Sequence, residues 1–403
     1  MSKQVKLVLD GTLFAECEMQ GANRDGMMRL TEDITDRLIL NKDLDISFAN
    51  TVYMEKYDRS LKDFIQKHYP GHTGKILSKS PPALMNFLKW RPIRKRIAKI
   101  APSPYYEAIN SGDVFHSFYY PFPKSVLRNN IKRSITFLDI IPLRLKGYTF
   151  DMVDRTKRIV ECLENNYAVS ISEYSRQDLL DYNRNIDADK VFVVPLAASK
   201  ELFYRNTDSG EKQKVKNKYG LPDNYFLCVA GNDIRKNIPH IVKSFNKLLL
   251  QEKHTDLYLV LTGNGSHNRS MLDDLNISPE VRSKIFIPGK FIDSEDLAVL
   301  YSNAISFFFM SLYEGFGLPA LEAMQCGVPT VASNTTSLPE VVGNGGILLS
   351  PTDEDALCET MSRLYSDEGM RKKYAEAGLL RAAEFSWQRC ADEYAAIFKN
   401  ICN

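Results

Sequence analysis

Residues 305–330 form the stretch of this sequence that most narrowly limits the fold. The stretch opens with an apolar and aromatic run, residues 305–310, which has the length and composition of a strand buried on both faces. Gly315 and Gly317 follow, and glycine lets a backbone turn tightly and approach a ligand closely. Pro319 is predicted to occupy the first position of a helix, since its φ is preset and it lacks an amide hydrogen. A strand, a glycine loop and a helix N-terminus in this order predict an α/β fold with a site for an anion, most often phosphate.

Two carboxylates flank this loop. Glu314 precedes it, and Glu322 is predicted to lie in the first turn of the helix. An ionised carboxylate does not bind phosphate, but it accepts hydrogen bonds from hydroxyl groups. Hydroxyls beside a diphosphate describe a sugar nucleotide. The alternative is a Rossmann-type crossover in which the glycines serve only packing, and the two glutamates favour the sugar-nucleotide site.

This pattern resembles the E-x7-E signature of retaining, GT-B-fold glycosyltransferases of glycosyltransferase family 4 ("group 1"). The resemblance extends over most of the chain and is strongest over residues 225–357. It implies an α/β fold of two Rossmann-like domains that face each other across a cleft. We therefore expect an acceptor-binding domain over residues 1–196 and a nucleotide-sugar-binding domain over residues 197–385. A last helix, residues 386–403, is expected to return to the first domain. The length of 403 residues agrees with two domains, because it exceeds what one ordinary core supports.

Two adjacent cations, Arg235 and Lys236, follow a predicted strand at residues 225–230. Arginine as a fork and lysine as a point charge can contact one phosphate group together. The family has R-K-N at this place, where the basic pair neutralises the donor diphosphate, so the resemblance implies that role here. It also implies donor-binding positions in the loops and turns of both domains: Gly26, Gly231, Gly263, Phe291, Gly315, Phe316, Gly317, Leu318 and Thr335.

One departure from the family pattern concerns the acceptor side. Relatives commonly read T-x-H-D-x-x-P-L with a histidine that faces the donor sugar, whereas this chain has Leu138 at that position. The resemblance then implies that Asp139 or His116 supplies the polar contact. The alternative for Asp139 is to cap the following turn. His116 is expected at the carboxyl end of a strand, where ligands gather in open α/β sheets, and its alternative role is structural.

The resemblance implies transfer of a hexose from a UDP- or GDP-linked sugar to a glycan or lipid-linked acceptor, with retention of configuration. The family's commonest setting is bacterial surface-polysaccharide assembly of the O-antigen or capsule type. Arg235, Lys236 and the helix end at Pro319 would stabilise the charge that develops on the leaving diphosphate, so neither a metal nor another cofactor is expected. Glu314 is expected to position the sugar hydroxyls and Glu322 the ribose. Three alternatives remain open: a GT-B sugar phosphorylase or epimerase, a catalytically silent sugar-nucleotide-binding subunit, and a membrane-associated scaffold without enzymatic activity.

The net charge of +2 is unevenly distributed. Residues 60–103 hold ten basic residues and only Asp63 as an acid, and the densest run, residues 89–99, contains a tryptophan. Such a run is typical of peripheral contact with an anionic membrane or a lipid-diphosphate acceptor, and the alternative is a solvated loop. Nucleic acid is not predicted as a partner, because no nucleic-acid motif accompanies the basic residues.

The cysteine pattern and the apolar runs bear on localisation. The seven cysteines show no C-x-x-C spacing, which favours reduced thiols over disulfides or a zinc site. The apolar runs are strand-length, and the opening residues predict a strand and lack the apolar stretch of a signal peptide. We therefore expect a cytoplasmic protein, with peripheral contact at the inner face of the membrane through residues 89–99.

Overall fold

The computed structural model describes residues 4–19, 26–50, 55–77, 109–122, 130–229, 233–252, 254–263, 265–275 and 277–402. The chain divides into two compact units. The first unit comprises Met1–Ile171, Arg176–Val194 and Trp387–Asn403. The second unit comprises Ser172–Ser175 and Pro195–Ser386. The basic run at residues 89–99 and the predicted donor-binding Gly231 lie outside the described residues.

The first unit contains a seven-stranded parallel sheet, with the strand order β3-β2-β1-β4-β5-β6-β7. The strands are β1 Val5–Asp10, β2 Leu44–Ala49, β3 Ile76–Leu77, β4 Val114–Ser117, β5 Lys132–Phe137, β6 Tyr167–Ser170 and β7 Val191–Val193. The central strands are apolar because both faces are covered, as in other parallel sheets. The order of the strands reverses between β1 and β4.

The second unit contains a six-stranded parallel sheet, with the strand order β10-β9-β8-β11-β12-β13. The strands are β8 Asn224–Val229, β9 Leu257–Thr262, β10 Ile285–Phe286, β11 Ser306–Phe309, β12 Thr330–Ser333 and β13 Ile347–Leu349. Strand β11 carries three consecutive buried phenylalanines, residues 307–309. The order reverses between β8 and β11, and ligands in open α/β sheets bind beyond the carboxyl ends of the strands at such a reversal.

The α-helices connect these strands. In chain order they are Thr12–Met19, Gly26–Leu38, Glu55–His68, Ile141–Arg144, Phe150–Leu163, Glu173–Tyr182, Ser209–Tyr219, Ile238–Gln251, Gly265–Asp273, Pro279–Arg282, Leu297–Ser302, Leu318–Gln325, Leu338–Val342, Glu354–Ser366, Glu368–Ala382 and Trp387–Cys402. Short 3-10 helices cover Pro70–Lys75, Ala188–Lys190, Ile234–Lys236, Ser294–Asp296 and Gly343–Gly345. Within the described residues, no helix combines the length and apolar content needed to cross a membrane.

Two of the predictions made for residues 305–330 need correction. The helix begins at Leu318, so Pro319 occupies its second position rather than its first. Glu322 is consequently the fifth residue of the helix and lies in its second turn. The left-handed Gly317 already serves as the N-cap, which moves the start of the helix one residue toward the glycine loop.

The C-terminal helix Trp387–Cys402 belongs to the first unit, where it contacts the helix Gly26–Leu38 and strand β1. Its buried side chains include Tyr394 and Phe398. Because this helix covers one face of the sheet, a strand-end residue beneath it is closed off from solvent.

His116 is that residue, and the structure favours its alternative, structural role over the expected contact with the acceptor. Its ring is fully buried and packs edge-on against Phe118, Tyr394 and Phe398. Nδ1 lies 2.8 Å from the Ser134 hydroxyl and Nε2 lies 3.1 Å from the Thr136 hydroxyl. Burial lowers the pKa of His116 to about 3, so the ring is neutral and has a structural role in the core.

We predict that Tyr394→Phe destabilises the first unit, because the Tyr394 hydroxyl lies 2.8 Å from the Thr136 hydroxyl in a buried network. The expected loss is about 1 kcal/mol, the usual net value of a hydrogen bond. Urea unfolding followed by fluorescence would measure this loss. Tyr182→Phe, at a residue that is 41% exposed, is the matched control and should unfold like the parent. Equal midpoints for Tyr394→Phe and the parent would contradict the prediction.

Candidate functional site

Two loops meet where the strand order of the second unit reverses. The loop after β8 leads into the 3-10 helix Ile234–Lys236, and the loop after β11 leads into the helix Leu318–Gln325. A backbone hydrogen bond of 2.7 Å from the Leu312 N–H to the Arg235 carbonyl joins the loops. This contact brings the predicted basic pair beside the predicted glutamate.

Glu314 is buried and paired with both cations. Its side chain accepts a 2.8 Å hydrogen bond from Lys236 Nζ and forms an ion pair with Arg235 Nη1. Only 6% of the surface of Glu314 is exposed, so removal of either cation would leave a buried carboxylate paired with a single cation. Arg235 also contacts Asp233 through Nε at 2.7 Å and the Tyr313 carbonyl through Nη1 at 3.2 Å.

The hydrogen-bonding capacity of these side chains is only partly used. Glu314 Oε1 accepts from Lys236 and from the Ser311 hydroxyl, whereas Oε2 pairs with Arg235. An ionised carboxylate oxygen can accept two hydrogen bonds, so Oε2 retains one acceptor position with respect to the described residues. By the same measure, Arg235 Nη2 and two of the three Lys236 ammonium hydrogens contact no described acceptor. The cluster can therefore donate to an anion and accept from a hydroxyl at once.

Burial and ion pairing have opposing effects on the ionisation of this cluster. Burial alone would raise the pKa of Glu314, but Lys236 and Arg235 outweigh it, so the pKa lies below its ordinary value and the group is ionised. Burial lowers the pKa of Lys236, and Arg235 adds to this effect against the opposing pull of Glu314. The Lys236 ammonium also lies 4.4 Å from the centre of the Phe309 ring, a contact that favours the charged form.

Side-chain hydroxyls bind the carbonyl groups of the glycine loop. The Ser337 hydroxyl lies 2.8 Å from the carbonyl oxygens of both Glu314 and Phe316, which share its single donor hydrogen. Ser172 and Ser175, which belong to the second unit, donate to the Gly315 carbonyl at 2.7 and 3.0 Å. Three successive carbonyls therefore point into the protein.

The N–H groups of this loop point the opposite way. In a planar trans peptide the carbonyl of one residue and the N–H of the next point in opposite directions. The N–H groups of Gly315, Phe316 and Gly317 find no acceptor among the described residues, although all three residues are buried. These three N–H groups therefore form a run of donors that is available to an anion.

Gly317 fulfils two requirements that no other residue type meets. Its φ of 116° lies in the left-handed region, and a Cβ atom there would lie 2.5 Å from Leu338 Cδ2. The pattern of Gly317 followed by Leu318 and Pro319 therefore fixes where the loop ends and the helix begins.

The segment after β12 supplies a further group for a ligand. Thr335 Oγ1 is buried and has no hydrogen-bond partner among the described residues. A buried hydroxyl without a partner is uncommon in native proteins. The hydroxyl is therefore available to a ligand, and the expected contact of Thr335 with the donor remains a prediction.

Glu322 lies on the helix Leu318–Gln325 and is half-buried. Its Oε2 lies 3.4 Å from the hydroxyl of the fully buried Tyr301. Burial raises the pKa of Tyr301, and the Glu322 charge adds to this effect, so the phenol keeps its proton and can donate to the carboxylate. The contact orients Glu322, whose predicted role toward a ribose remains a prediction.

The other residues predicted to bind the donor lie in three kinds of environment. Gly263, with a φ of 104°, and Phe291, which is 78% exposed, are accessible. Phe316 is 3% exposed and packs edge-on against Phe385, so its ring serves the core of the second unit and only its backbone belongs to the loop. Gly26 begins a helix in the first unit and has open space around it.

Asp139 binds the backbone of the turn that follows it, which is close to the alternative role expected for it. Its Oδ1 accepts a 2.9 Å hydrogen bond from the Ile141 N–H, at the start of the short helix Ile141–Arg144. Asp139 and its neighbour Leu138 are both half-buried. A polar contact with a substrate is therefore not needed to explain Asp139.

Sequence reasoning missed a polar network at the reversal point of the first unit. Asp10, at the end of β1, accepts from the Ser117 hydroxyl at 3.2 Å and from the Thr12 hydroxyl at 2.6 Å. Glu16 accepts hydrogen bonds from the phenols of Tyr57 and Tyr120. The polar Asp10-Gly11 turn after β1 was the one signal available. Among the described residues, no group of His, Cys, Asp and Glu is arranged to hold a metal ion.

Comparison with known proteins identifies the class. The family model described as glycosyl transferases group 1 matches residues 210–381. The chain is 32% identical over 292 residues to the O-antigen chain mannosyltransferase B of Escherichia coli, and the match covers 71% of this chain and 75% of that protein. It is also 32% identical over 226 residues to the serotype-specific mannosyltransferase WbdA of Escherichia coli, a match that covers 55% of this chain and 27% of that longer protein.

Solved structures show the same fold. The crystal structure of Anabaena HepE in complex with UDP and glucose aligns with a TM-score of 0.66 over 98% of each chain, at 13% identity, a likeness that shows the fold alone. The predicted class of two Rossmann-like units, the GT-B fold, is confirmed. The chain belongs to the group 1 glycosyltransferase family, and it is a glycosyltransferase.

We predict that Gly317→Ala destabilises the second unit by about 1–3 kcal/mol, because the new methyl group would collide with Leu338 in a backbone conformation unfavourable to alanine. Thermal unfolding would measure the effect. Gly289→Ala, at a position with no atom within 4 Å of the added Cβ, is the control and should stay within about 0.5 kcal/mol of the parent. Equal stability of the two variants would contradict the prediction.

Proposed function

We propose that this glycosyltransferase transfers a hexose, with mannose the first candidate, from a UDP- or GDP-linked sugar to a glycan or lipid-linked acceptor in bacterial surface-polysaccharide assembly. The names of the relatives suggest the sugar and the setting, since one is an O-antigen chain mannosyltransferase and the other a serotype-specific mannosyltransferase. The observation that carries the proposal is the pairing of buried Glu314 with Arg235 and Lys236 beside three N–H donors without described acceptors.

The donor diphosphate is proposed to bind where these donors converge. The N–H groups of Gly315, Phe316 and Gly317 have no described acceptor, and successive backbone N–H groups of this kind can bind phosphate. Arg235 Nη2 and the Lys236 ammonium add charge-assisted hydrogen bonds, which are about twice as strong as neutral ones. The remaining acceptor position of Glu314 Oε2 suits a hydroxyl of the transferred sugar, and Thr335 Oγ1 suits another polar group of the donor.

The chemistry proposed for this site is stabilisation of the leaving diphosphate. Cleavage of the sugar–phosphate bond adds negative charge to the nucleoside diphosphate, and interactions that strengthen with this charge accelerate the step. Arg235, Lys236 and the loop N–H groups meet that need without a metal ion. Retention of configuration and independence of metal are part of the proposal.

The first unit is proposed to bind the acceptor. Glu16, with its two phenol partners, and the Asp10 network lie where the strand order of that unit reverses, and carboxylates there can accept hydrogen bonds from sugar hydroxyls. We also propose a cytoplasmic location, with the basic residues 89–99 in contact with the inner face of the membrane. A lipid-linked acceptor would be held in that membrane.

The function is tested by incubating the full chain with UDP- and GDP-linked hexoses, mannose among them, and with lipid-linked glycan acceptors, with and without EDTA. Transfer of one hexose that persists in EDTA is the expected result. Donor binding without transfer or hydrolysis would favour the silent subunit, and release of sugar phosphate would favour a phosphorylase. Either outcome would overturn the proposal.

We predict different effects for the two glutamates of the signature. Glu314→Gln is expected to lower kcat roughly a hundredfold, because an ionised group at the reacting sugar is lost. Glu322→Gln is expected to weaken binding of the nucleoside diphosphate by about tenfold, with a smaller effect on kcat. Calorimetry with UDP and GDP, together with initial rates, would separate the two. Glu359→Gln, on the surface of the helix Glu354–Ser366, is the control. Unchanged binding and rates in both glutamate variants would refute the assignment.

We also predict a limit to activity at alkaline pH that depends on Lys236. Because the pKa of Lys236 is lowered, its ammonium loses its proton at a pH below the ordinary lysine value of 10.5. Donor binding through this charge is complete below the lowered pKa and is lost as pH rises through it. In Lys236→Arg the charge persists, so the fall of kcat/KM should move to higher pH, whereas Lys243→Arg should leave the profile unchanged. Identical profiles for all three proteins would count against a role for Lys236.

A further inference from the structure

Two residues other than glycine have a positive φ in the described parts of the chain: Asn237 at 55° and Thr336 at 56°. Both border Glu314. Asn237 follows Lys236, which pairs with the Glu314 carboxylate, and Thr336 Oγ1 accepts a 3.1 Å hydrogen bond from the Glu314 N–H. Asparagine adopts left-handed backbone angles comparatively easily, but a β-branched residue there is an outlier. Thr336 therefore keeps its conformation against its intrinsic preference.

The surroundings of Thr336 hold it in place. The Ser333 hydroxyl binds the Ser311 carbonyl on one side, and the Ser337 hydroxyl binds the carbonyls of Glu314 and Phe316 on the other. Ser333 and Ser337 are fully buried. A strained residue persists only when neighbouring contacts determine its conformation, and such residues cluster at functional sites.

These contacts fix the backbone of Glu314 at both of its peptide groups. Its N–H donates to Thr336, and its carbonyl accepts from Ser337. The carboxylate can then vary its position only through side-chain rotation, and the ion pairs with Arg235 and Lys236 limit that rotation. Thr336 thus supplies a hydroxyl oxygen as the acceptor for the Glu314 N–H. With an ordinary, negative φ at this position, the hydroxyl would point elsewhere.

We propose that Thr336 is a positioning residue for transfer: its strained conformation aims Oγ1 at the Glu314 N–H and so holds the Glu314 carboxylate where it meets the donor sugar. This inference rests on the proposed function of Glu314. It assigns Thr336 no direct contact with the substrate, which separates its role from that of the neighbouring Thr335.

The test compares two substitutions at one position. Thr336→Val keeps the shape and the β-branch but removes the acceptor, whereas Thr336→Ser keeps a hydroxyl. Thr336→Val is expected to lower kcat by about 10- to 100-fold, the scale of a small misplacement of a reacting group. Thr336→Ser is expected to retain kcat within about twofold. Affinity for UDP and GDP, measured by calorimetry, should stay within about twofold of the parent in both variants. Thr352→Val, at an exposed threonine outside the site, is the control for loss of a hydroxyl.

A double-mutant cycle tests whether Thr336 acts through Glu314. If it does, Glu314→Gln combined with Thr336→Val should be no slower than Glu314→Gln alone, since residues that act as a unit are not additive. Independent, additive losses would overturn the proposal. A parallel fall in kcat, nucleotide affinity and unfolding temperature in Thr336→Val would also overturn it, because that pattern belongs to a purely structural residue.

The cycle separates this inference from the proposed function. If Glu314→Gln leaves transfer unchanged, the assignment of Glu314 fails and the role of Thr336 fails with it. If Glu314→Gln slows transfer while Thr336→Val retains the parental kcat, the proposed function stands and the positioning role of Thr336 is refuted.

Discussion

The second unit is organised around one buried carboxylate, Glu314, and its two cations. A buried charge is costly unless it is paired and hydrogen-bonded, so Arg235, Lys236 and Ser311 must converge on it. This requirement joins the loops after β8 and β11 at the point where the strand order reverses. The ion pairs also set the ionisation of the cluster: the pKa of Glu314 stays low, whereas burial lowers that of Lys236. The chemistry proposed for the enzyme uses the hydrogen-bonding capacity that these ion pairs do not occupy. This capacity consists of donor groups on the two cations and one acceptor position on the carboxylate.

Hydroxyl groups have a second organising role. Ser172, Ser175 and Ser337 bind three successive carbonyls of the glycine loop, so the N–H groups of the same peptides face the other way. Because the carbonyl groups are held by hydroxyls on one side of the loop, the N–H groups on the other side are available as donors to an anion. Thr336 extends this arrangement to the N–H of Glu314 at the expense of an unfavourable backbone angle. The hydrogen bonds that fix the backbone and the ion pairs that fix the side chain therefore meet at Glu314.

The sequence was sufficient for the fold class, the glycine loop and the basic pair, because each depends on residues close together in the chain. The run at residues 307–309 marks a buried strand, and Gly317 marks a left-handed turn. Contacts between distant residues were not visible. The serines that bind the Gly315 carbonyl lie 140 and 143 residues away from it, and Tyr394, which helps to bury His116, lies 258 residues from Thr136. Threonine carries no signal for a positive φ, so the conformation of Thr336 could not have been predicted.

The place of the last helix has a consequence for how the protein is made. The ribosome synthesises all of the second unit before it reaches Trp387–Asn403, which complete the first unit. Domains usually fold in the order in which they are translated. Here the surface around His116 stays uncovered until Tyr394 and Phe398 leave the exit tunnel, so the first unit cannot be completed before then. The second unit is fully synthesised earlier, so its core is expected to be completed before that of the first unit.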